Sequence, residues 1–228
     1  MSVKFCCLAK HFSEASPAQP TLICCTPRLA SVPSLVRNAQ VVLAGESEAA
    51  ATSLLHAGAK KVFLGETALF DSSVVTRLVH TFGSERIGLH VPVQRQSVSW
   101  SFETESNEDF NVVTPSLCEP VWEVLKANGE ASGVRAANWV NAMLHHGVST
   151  ILLRADMADD ADLNLCAGLV ETVGDKLWVA PLTDSPPVLA DWIEFGQVSQ
   201  LALPAALYHH RHALVKRAAL TGQNLTTA

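Results

Sequence analysis

The amino-acid sequence predicts an α/β fold in which parallel strands alternate with helices and close into a (β/α)8 TIM-type barrel. Three observations support this prediction. The chain has 228 residues, of which 48% are apolar, enough for one large domain with a substantial core. Its strand candidates are continuous apolar runs, which is typical of strands buried on both faces of a parallel sheet. From residue 40 onward these runs alternate with amphipathic helices that end at glycines.

Eight strand candidates occur in chain order. Val3–Leu8 and Thr21–Thr26 come first, and the 12 residues between them leave little room for a helix, so the N-terminal βα units are abbreviated. The other six have the spacing of βα units: Gln40–Ala44, Lys61–Gly65, Arg86–His90, Thr150–Arg154, Lys176–Ala180 and Ser199–Leu203. Without the first two strands, these six would form an open sheet, which is the competing architecture.

Four helices are predicted between the later strands, most with a polar or proline start and each with a glycine end. They run from Asp71 to Gly83, from about Val134 to His146 with Gly147 as the stop, from Asp159 or Asp160 to Gly174, and from Pro186 to Gly196. A stretch at about residues 96–115 alternates apolar and polar residues, which predicts a hairpin excursion. Residues 1–228 are expected to form a single barrel domain around it.

Composition argues against several classes of protein. The net charge is −6 and Lys and Arg form no basic run, so neither a nucleic-acid nor a membrane partner is indicated. No apolar stretch approaches the roughly 20 residues of a membrane helix, and the N-terminal apolar run is too short for a secretory signal. A cytoplasmic protein is expected. The six cysteines form no C-x-x-C and are interpreted as buried, reduced thiols.

Two polar clusters could bind a metal, but a simpler interpretation is favoured for each. His209 and His212 share a helical face, which a zinc site would allow, yet a solvated helix end explains them as well. The acidic loop at 156–162 lacks the spacing of an EF-hand and suits a helix N-terminus, where the helix dipole favours carboxylates. We therefore expect no metal and no cofactor.

One family resembles the middle of the chain. Residues 54–91 read LLHAGAKKVFLGETALFDSSVVTRLVHTFGSERIGLHV. This stretch resembles the HisA/HisF-like barrels of histidine biosynthesis, the phosphoribosylformimino-AICAR ribotide isomerase and its cyclase relative, in which a typical member reads roughly LLEAGADRVVIGTAALEDP and then LDV. LLRADMADDADLN at 152–164 is similar to the family's sixth strand and the acidic loop after it. The resemblance runs from about Val41 to Leu207 and implies the same barrel.

The resemblance also implies where the catalytic residues would lie. In the isomerases, aspartates at the ends of strands 1 and 5 act as the general base and acid of an Amadori rearrangement. The first position is Cys7 in this sequence, the second is His90, and Asp160 is retained in the acidic loop. These three residues are the candidate catalytic set, and Cys7 and His90 are expected to face each other across the barrel mouth. The alternative is that both are core or rim residues.

The family's substrate carries two phosphates, which glycine-rich loops and helix N-termini bind. The resemblance assigns ligand-binding positions to Gly45, Gly65, Thr67 and Thr183. Around them, however, the glycine pattern is reduced. Glu46 and Asp184 bring carboxylates to where a phosphate would approach, and Pro204 has no N–H to donate. The phosphate-binding loops are therefore expected to be lost.

Three hypotheses follow. The first is a divergent barrel without the family's catalytic aspartates and phosphate-binding glycines, which binds a small-molecule ligand or a protein partner. The second is an isomerase-like or lyase-like enzyme that uses His90, Cys7 and Asp160 in a changed site. The third is a true isomerase of histidine biosynthesis. A catalyst predicts that His90 and Asp160 converge on an open pocket, whereas a binding protein predicts a covered mouth and exposed apolar residues elsewhere.

Overall fold

The computed structural model describes residues 3–15, 19–24, 36–96 and 120–215. Eight strands in this part of the chain are mutually parallel. They are β1 (Lys4–Ala9), β2 (Thr21–Cys24), β3 (Gln40–Val42), β4 (Lys61–Leu64), β5 (Ile87–Arg95), β8 (Thr150–Arg154), β9 (Leu177–Ala180) and β10 (Gln200–Pro204). Two further strands, β6 (Trp122–Leu125) and β7 (Ala131–Arg135), form an antiparallel hairpin.

The parallel strands close into a barrel. Their order is β4-β3-β2-β1-β10-β9-β8-β5, and β4 also pairs with β5, which closes the ring. The N-terminal strands complete it, because Cys7 of β1 pairs with Leu203 of β10 on one side and Thr21 of β2 on the other. The predicted (β/α)8 barrel is therefore confirmed, and the open six-stranded sheet is wrong.

Residues 211–215 are helical, and seven further α-helices lie between the strands or follow them in the described residues. They are α1 (Glu48–His56), α2 (Glu66–Phe70), α3 (Ser73–Phe82), α4 (Ala136–His145), α5 (Asp160–Val173), α6 (Leu189–Glu194) and α7 (Ala205–Tyr208). Three starts differ from prediction, and one of them is that of α6, which begins at Leu189 and not at Pro186. Asp71 ends α2, and its carboxylate accepts the N–H of Ser73 at 3.0 Å as α3 begins. Helix α4 begins at Ala136 because the residues before it belong to β7.

Apolar residues form two layers of core, one inside the barrel and one between the strands and the helices. Alternate residues of each strand supply the two layers. The inner layer consists of Cys6, Leu8, Leu22, Val42, Phe63, Leu152, Ala180 and Ala202. The outer layer is larger and includes Cys7, Leu89 and Val91 together with helix residues such as Trp192. His90 lies between two outer-layer residues of β5 and so points into the barrel.

The hairpin covers part of the mouth at the carboxyl ends of the strands. Strand β5 continues past the barrel, and its last residues pair with β6, with Val93 opposite Val124 and Arg95 opposite Trp122. The predicted excursion at 96–115 falls almost wholly outside the described residues, and the observed hairpin follows at 122–135. Within the described ranges, no helix has both the length and the apolar character that crossing a membrane requires.

Candidate functional site

A cavity of about 170 Å³ lies between the barrel mouth and the hairpin. Active sites of (β/α)8 barrels lie at this end, because the loops after the strands meet there. The barrel contributes Ala44, Gly65, Glu66, Leu69, His90, Pro92, Arg154 and Leu182, and the hairpin and α4 contribute Val124, Leu125, Lys126, Ala127, Gly129 and Trp139. The hairpin therefore forms one wall of the candidate site.

His90 is the predicted catalytic residue that the structure places in this cavity. It is only 5% exposed, and neither ring nitrogen has a hydrogen-bond partner in the described part of the chain. Burial, together with the nearby positive charge of Arg154, lowers the pKa of His90 to about 3, and the backbone of Leu43 close to the ring opposes this shift only in part. The imidazole is therefore neutral near pH 7 and offers one donor and one acceptor to a molecule in the cavity.

Trp139 is a second unpartnered polar group in the cavity wall. Its side chain is buried, and its indole Nε1 has no acceptor among the described residues. The sequence predicts only core packing for this residue. No sequence signal distinguishes it from Trp192, which is equally buried with an unpartnered Nε1 but does not line the cavity.

Cys7 does not face His90, which corrects the expectation of a Cys–His pair across the mouth. Its side chain is 0% exposed and packs in the outer layer, between the strands and the helices. Successive residues of a strand point to opposite sides, so it is Cys6 that points into the barrel. Burial raises the pKa of the Cys7 thiol, and a neutral thiol is a weak nucleophile.

Asp160 does not join His90 either. It is the exposed first residue of α5 and does not line the cavity. Its neighbour Asp159 is the N-cap, and the Asp159 carboxylate accepts the N–H of Ala161 at 3.0 Å and of Asp162 at 3.2 Å. The expectation that a catalytic Asp160 and His90 converge on one pocket is therefore wrong.

The acidic loop instead anchors the hairpin. Arg95, at the end of β5, donates to Asp159 at 2.8 Å and to the buried carboxylate of Asp162 at 3.1 Å. Trp122 of β6 donates its indole N–H to the same Asp162 at 3.0 Å. The end of β5 and the start of β6, which pair with each other, are thus both bonded to the start of α5. Burial of the Asp162 carboxylate is compensated by these donors.

The described residues hold no group of three or more His, Cys, Asp or Glu side chains that could bind a metal ion. His212 packs its ring edge-on against Phe5, with 5.8 Å between the ring centroids. The carboxylates of the acidic loop bind Arg95 and backbone amides. The two clusters considered from the sequence therefore have structural partners here.

Gly45 lets the hairpin approach the barrel. A Cβ atom at this position would lie 2.8 Å from the Cβ of Ala127 at the hairpin tip, closer than such atoms pack. The Gly45 N–H, which the resemblance assigns to ligand binding, donates to the carboxylate of Glu46 at 3.1 Å. An acidic side chain of the protein therefore accepts from the amide that would face a phosphate.

Gly65 and Thr67 hold the loop after β3. A Cβ at Gly65 would lie 2.4 Å from the carbonyl oxygen of Ala44, so only glycine allows the two backbones to approach so closely. The Thr67 hydroxyl donates to the carbonyl of Glu46. Gly65 also lines the cavity, but both residues have structural partners that explain their presence.

A second carboxylate binds the loop after β9. The Oδ1 atom of Asp156 accepts the N–H of Leu182 at 3.0 Å and that of Thr183 at 3.2 Å. Arg154 donates to the carbonyl of Leu182 at 2.6 Å, so side chains that follow β8 hold this loop on both sides. The Thr183 amide thus has an internal acceptor where the resemblance predicts a bound ligand.

Beside that loop, a second cavity of about 360 Å³ opens at the mouth. Its lining includes Thr183, Pro204 and the ion pair between Lys10 and Asp184, whose charged atoms are 2.7 Å apart. The Lys10 ammonium lowers the pKa of the Asp184 carboxyl. The one lysine in this lining is therefore already paired with a carboxylate.

Comparison with known proteins agrees with this architecture. A family model described as histidine biosynthesis protein matches residues 39–164, which is more than half of the chain. The chain is 27% identical over 161 residues to the imidazole glycerol phosphate synthase subunit HisF of Halobacterium salinarum, covering 68% of this chain and 55% of that protein. It is 25% identical over 163 residues to the same subunit of Dehalococcoides mccartyi, covering 70% and 56%.

The chain spans about half the length of these curated relatives. Within that span, the matched region runs from β3 into α5 and includes His90, the hairpin and the acidic loop. The family match, the distant relatives and the closed barrel lead to one conclusion: this chain belongs to the histidine biosynthesis protein family.

Proposed function

We propose that this chain is a divergent HisA/HisF-like barrel that binds a small molecule beneath its hairpin and does not carry out the family's isomerase chemistry. The observation that carries the proposal is the occupation of both expected phosphate loops by carboxylates of the protein. Glu46 accepts from the amide of Gly45, and Asp156 accepts from those of Leu182 and Thr183. A phosphate dianion would have to displace these carboxylates against like-charge repulsion.

The acid–base groups support the same proposal. The family's reaction needs a general acid and a general base within hydrogen-bond reach of the substrate. At the two expected positions stand His90, which burial keeps neutral, and Cys7, which faces away from the mouth. The retained Asp160 lies outside the cavity. The geometry therefore favours binding over this proton transfer.

One observation favours a second candidate, a barrel enzyme with changed chemistry. His90 and Glu66 line the same cavity, and an imidazole and a carboxylate can act as an acid–base pair. The protein-partner alternative rests on exposed apolar side chains, of which Phe70 is 72% and Phe195 57% exposed. Phe70 ends α2 and Phe195 follows α6, so the two do not lie on one helix, and single exposed apolar residues are common on protein surfaces.

A turnover assay tests whether the chain lacks the family's isomerase activity. The purified chain is incubated with the bis-phosphorylated substrate of the isomerase, and product is followed by chromatography, with an active family member as the positive control. We expect no product and no heat of binding at millimolar substrate. Turnover would contradict the proposal. Loss of that turnover in His90→Ala would establish the changed-site enzyme instead.

A ligand screen tests whether the cavity beneath the hairpin binds a small molecule. Thermal shift with a chemically broad set of small acids, amines, amides and neutral heterocycles should find compounds that raise the melting temperature. The matched control is Ala44→Leu, which adds bulk to the cavity wall at a residue exposed at the mouth. Binding in the cavity predicts a shift that this variant loses. If no compound raises the melting temperature of the unmodified protein more than that of the Ala44→Leu variant, small-molecule binding is contradicted.

A further inference from the structure

Two side chains in the wall of the cavity beneath the hairpin have buried donors without an acceptor among the described residues. Trp139 supplies an indole N–H, which can only donate, and neutral His90 supplies one N–H and one acceptor nitrogen. Both side chains are more than nine-tenths buried and have no partner in the described residues. Buried polar groups in proteins are almost always hydrogen-bonded. Two such groups lining one cavity indicate a ligand that accepts hydrogen bonds.

The charges around the cavity argue against more than a single negative charge on that ligand. Arg154 lines the cavity, and its described partners are backbone carbonyls of the loop after β9, which leave its charge unneutralised by a described carboxylate. Lys126, also in the lining, is paired with Glu130 at 3.5 Å. Glu66 adds one negative charge to the wall. A dianion would therefore face more repulsion here than a monoanion.

The volume and the apolar walls of the cavity restrict the class of ligand further. Leu69, Pro92, Val124 and Leu125 line much of the cavity. A volume of about 150 Å³ suffices for one benzene ring, and this cavity has about 170 Å³. The space therefore suits a compact apolar body that carries one polar group.

We infer that the ligand is a small monocarboxylate, with an apolar body about the size of one ring and a carboxylate held by Trp139, His90 and Arg154. This inference rests on the proposed function, because it names the ligand class of the same cavity. The carboxylate accepts from the indole N–H and the imidazole N–H and pairs with the guanidinium. Hydrogen bonds between a charged and a neutral group are about twice as strong as those between neutral groups.

The test is isothermal titration of the intact chain with benzoate, with benzamide as its neutral isostere, and with inorganic phosphate. We expect benzoate to bind, benzamide to bind at least tenfold more weakly, and phosphate to give no heat. Trp139→Phe removes the indole N–H and should weaken benzoate at least fivefold. Trp192→Phe is the matched control, because its Nε1 is equally buried and unpartnered but does not line the cavity, and its affinity should stay within twofold.

The outcomes separate this inference from the proposed function. If benzamide binds as tightly as benzoate, the carboxylate assignment is wrong, while small-molecule binding stands. If both Trp variants weaken benzoate equally, the ligand does not use Trp139, and the inference is overturned. If benzoate gives no heat, the monocarboxylate is also overturned, and the proposed function is then decided by the broader compound set and its Ala44→Leu control.

Discussion

The two halves of the barrel mouth treat their polar groups in opposite ways. On the side of β1, β9 and β10, Asp156 holds two backbone amides and Lys10 is paired with Asp184. On the side of the hairpin, His90 and Trp139 are buried with no partner among the described residues. The polar groups of one half are paired within the chain, whereas two buried groups of the other half have no partner among the described residues.

This difference makes the hairpin side the better place to test for ligand binding. An unpartnered buried donor or acceptor costs about 1–3 kcal/mol of stability. Two of them in one cavity therefore destabilise the fold unless a ligand restores the lost hydrogen bonds. The half around β1, β9 and β10 carries no such cost, because its polar groups are paired within the chain, and its carboxylates repel an anion. Function is therefore sought beneath the hairpin, and three variants test that conclusion.

The largest effect is expected from the anchor of the hairpin. Arg95→Ala leaves the carboxylate of Asp162, 5% exposed, without its cation, and we expect the free energy of unfolding to fall by about 3 kcal/mol. Urea denaturation measures this loss, and hydrogen exchange should show faster opening of β6 and β7. Asp160→Asn is the control on the same helix turn, and because Asp160 is exposed its effect should stay within about 0.5 kcal/mol. Equal effects would contradict the anchor.

A somewhat smaller effect is expected from pH. The unfolded chain protonates His90 near pH 6.5, whereas the folded chain resists protonation until about pH 3. The unfolded state therefore binds the extra proton first, and stability falls as the pH drops through this range. Between pH 6.5 and 4.5 the loss is about 2–3 kcal/mol. His90→Leu should remove this slope in urea denaturation.

The comparison variant for this pH effect is His80→Asn, because His80 lies exposed on α3. It should keep the slope of the unmodified protein. The carboxylates whose folded pKa is lowered, such as Asp159, begin to lose stability only below about pH 5, so the imidazole dominates the slope between pH 6.5 and about 5. A slope that survives in His90→Leu would show that His90 is not the buried neutral group that the structure describes.

The smallest effect is expected in the half of the mouth around β1, β9 and β10. Asp156→Ala removes the acceptor of two amides and should cost about 1–2 kcal/mol. It also frees those amides, so inorganic phosphate should raise the melting temperature of this variant and not that of the unmodified protein. Lys10→Ala, which breaks an exposed ion pair, serves as the control and should gain no response to phosphate. Stabilisation of the unmodified chain by phosphate would remove the contrast between the halves.

Most of the fold could be predicted from the sequence, because strands buried on both faces leave continuous apolar runs. The eight parallel strands follow from this pattern. The hairpin at 122–135 was missed, although Asn128-Gly129, with φ of 86° at the glycine, is a recognised turn signal for antiparallel strands. The start of α4 was misplaced for the same reason, since β7 ends where the helix was expected to begin.

The site was less predictable, because it depends on strand orientation and on distant contacts. A shift of one residue exchanges the two sides of a strand, so the resemblance could not distinguish Cys7 from Cys6. The aspartates of the acidic loop look alike in sequence. Their roles depend on Arg95, which is 67 residues from Asp162 in the chain. That pairing is a product of the closed barrel and has no local signal.

The length of β5 has a mechanical consequence. Its nine residues are one continuous strand, in which Ile87 to Pro92 pair within the barrel and Val93 to Arg95 pair with the hairpin. This pairing holds the hairpin over the cavity. Lifting it requires the strand to bend or its ladder with β6 to break, within a few residues of His90. One strand thus carries the imidazole at the floor of the cavity and also pairs with β6, so the same backbone fixes the position of His90 and that of the hairpin.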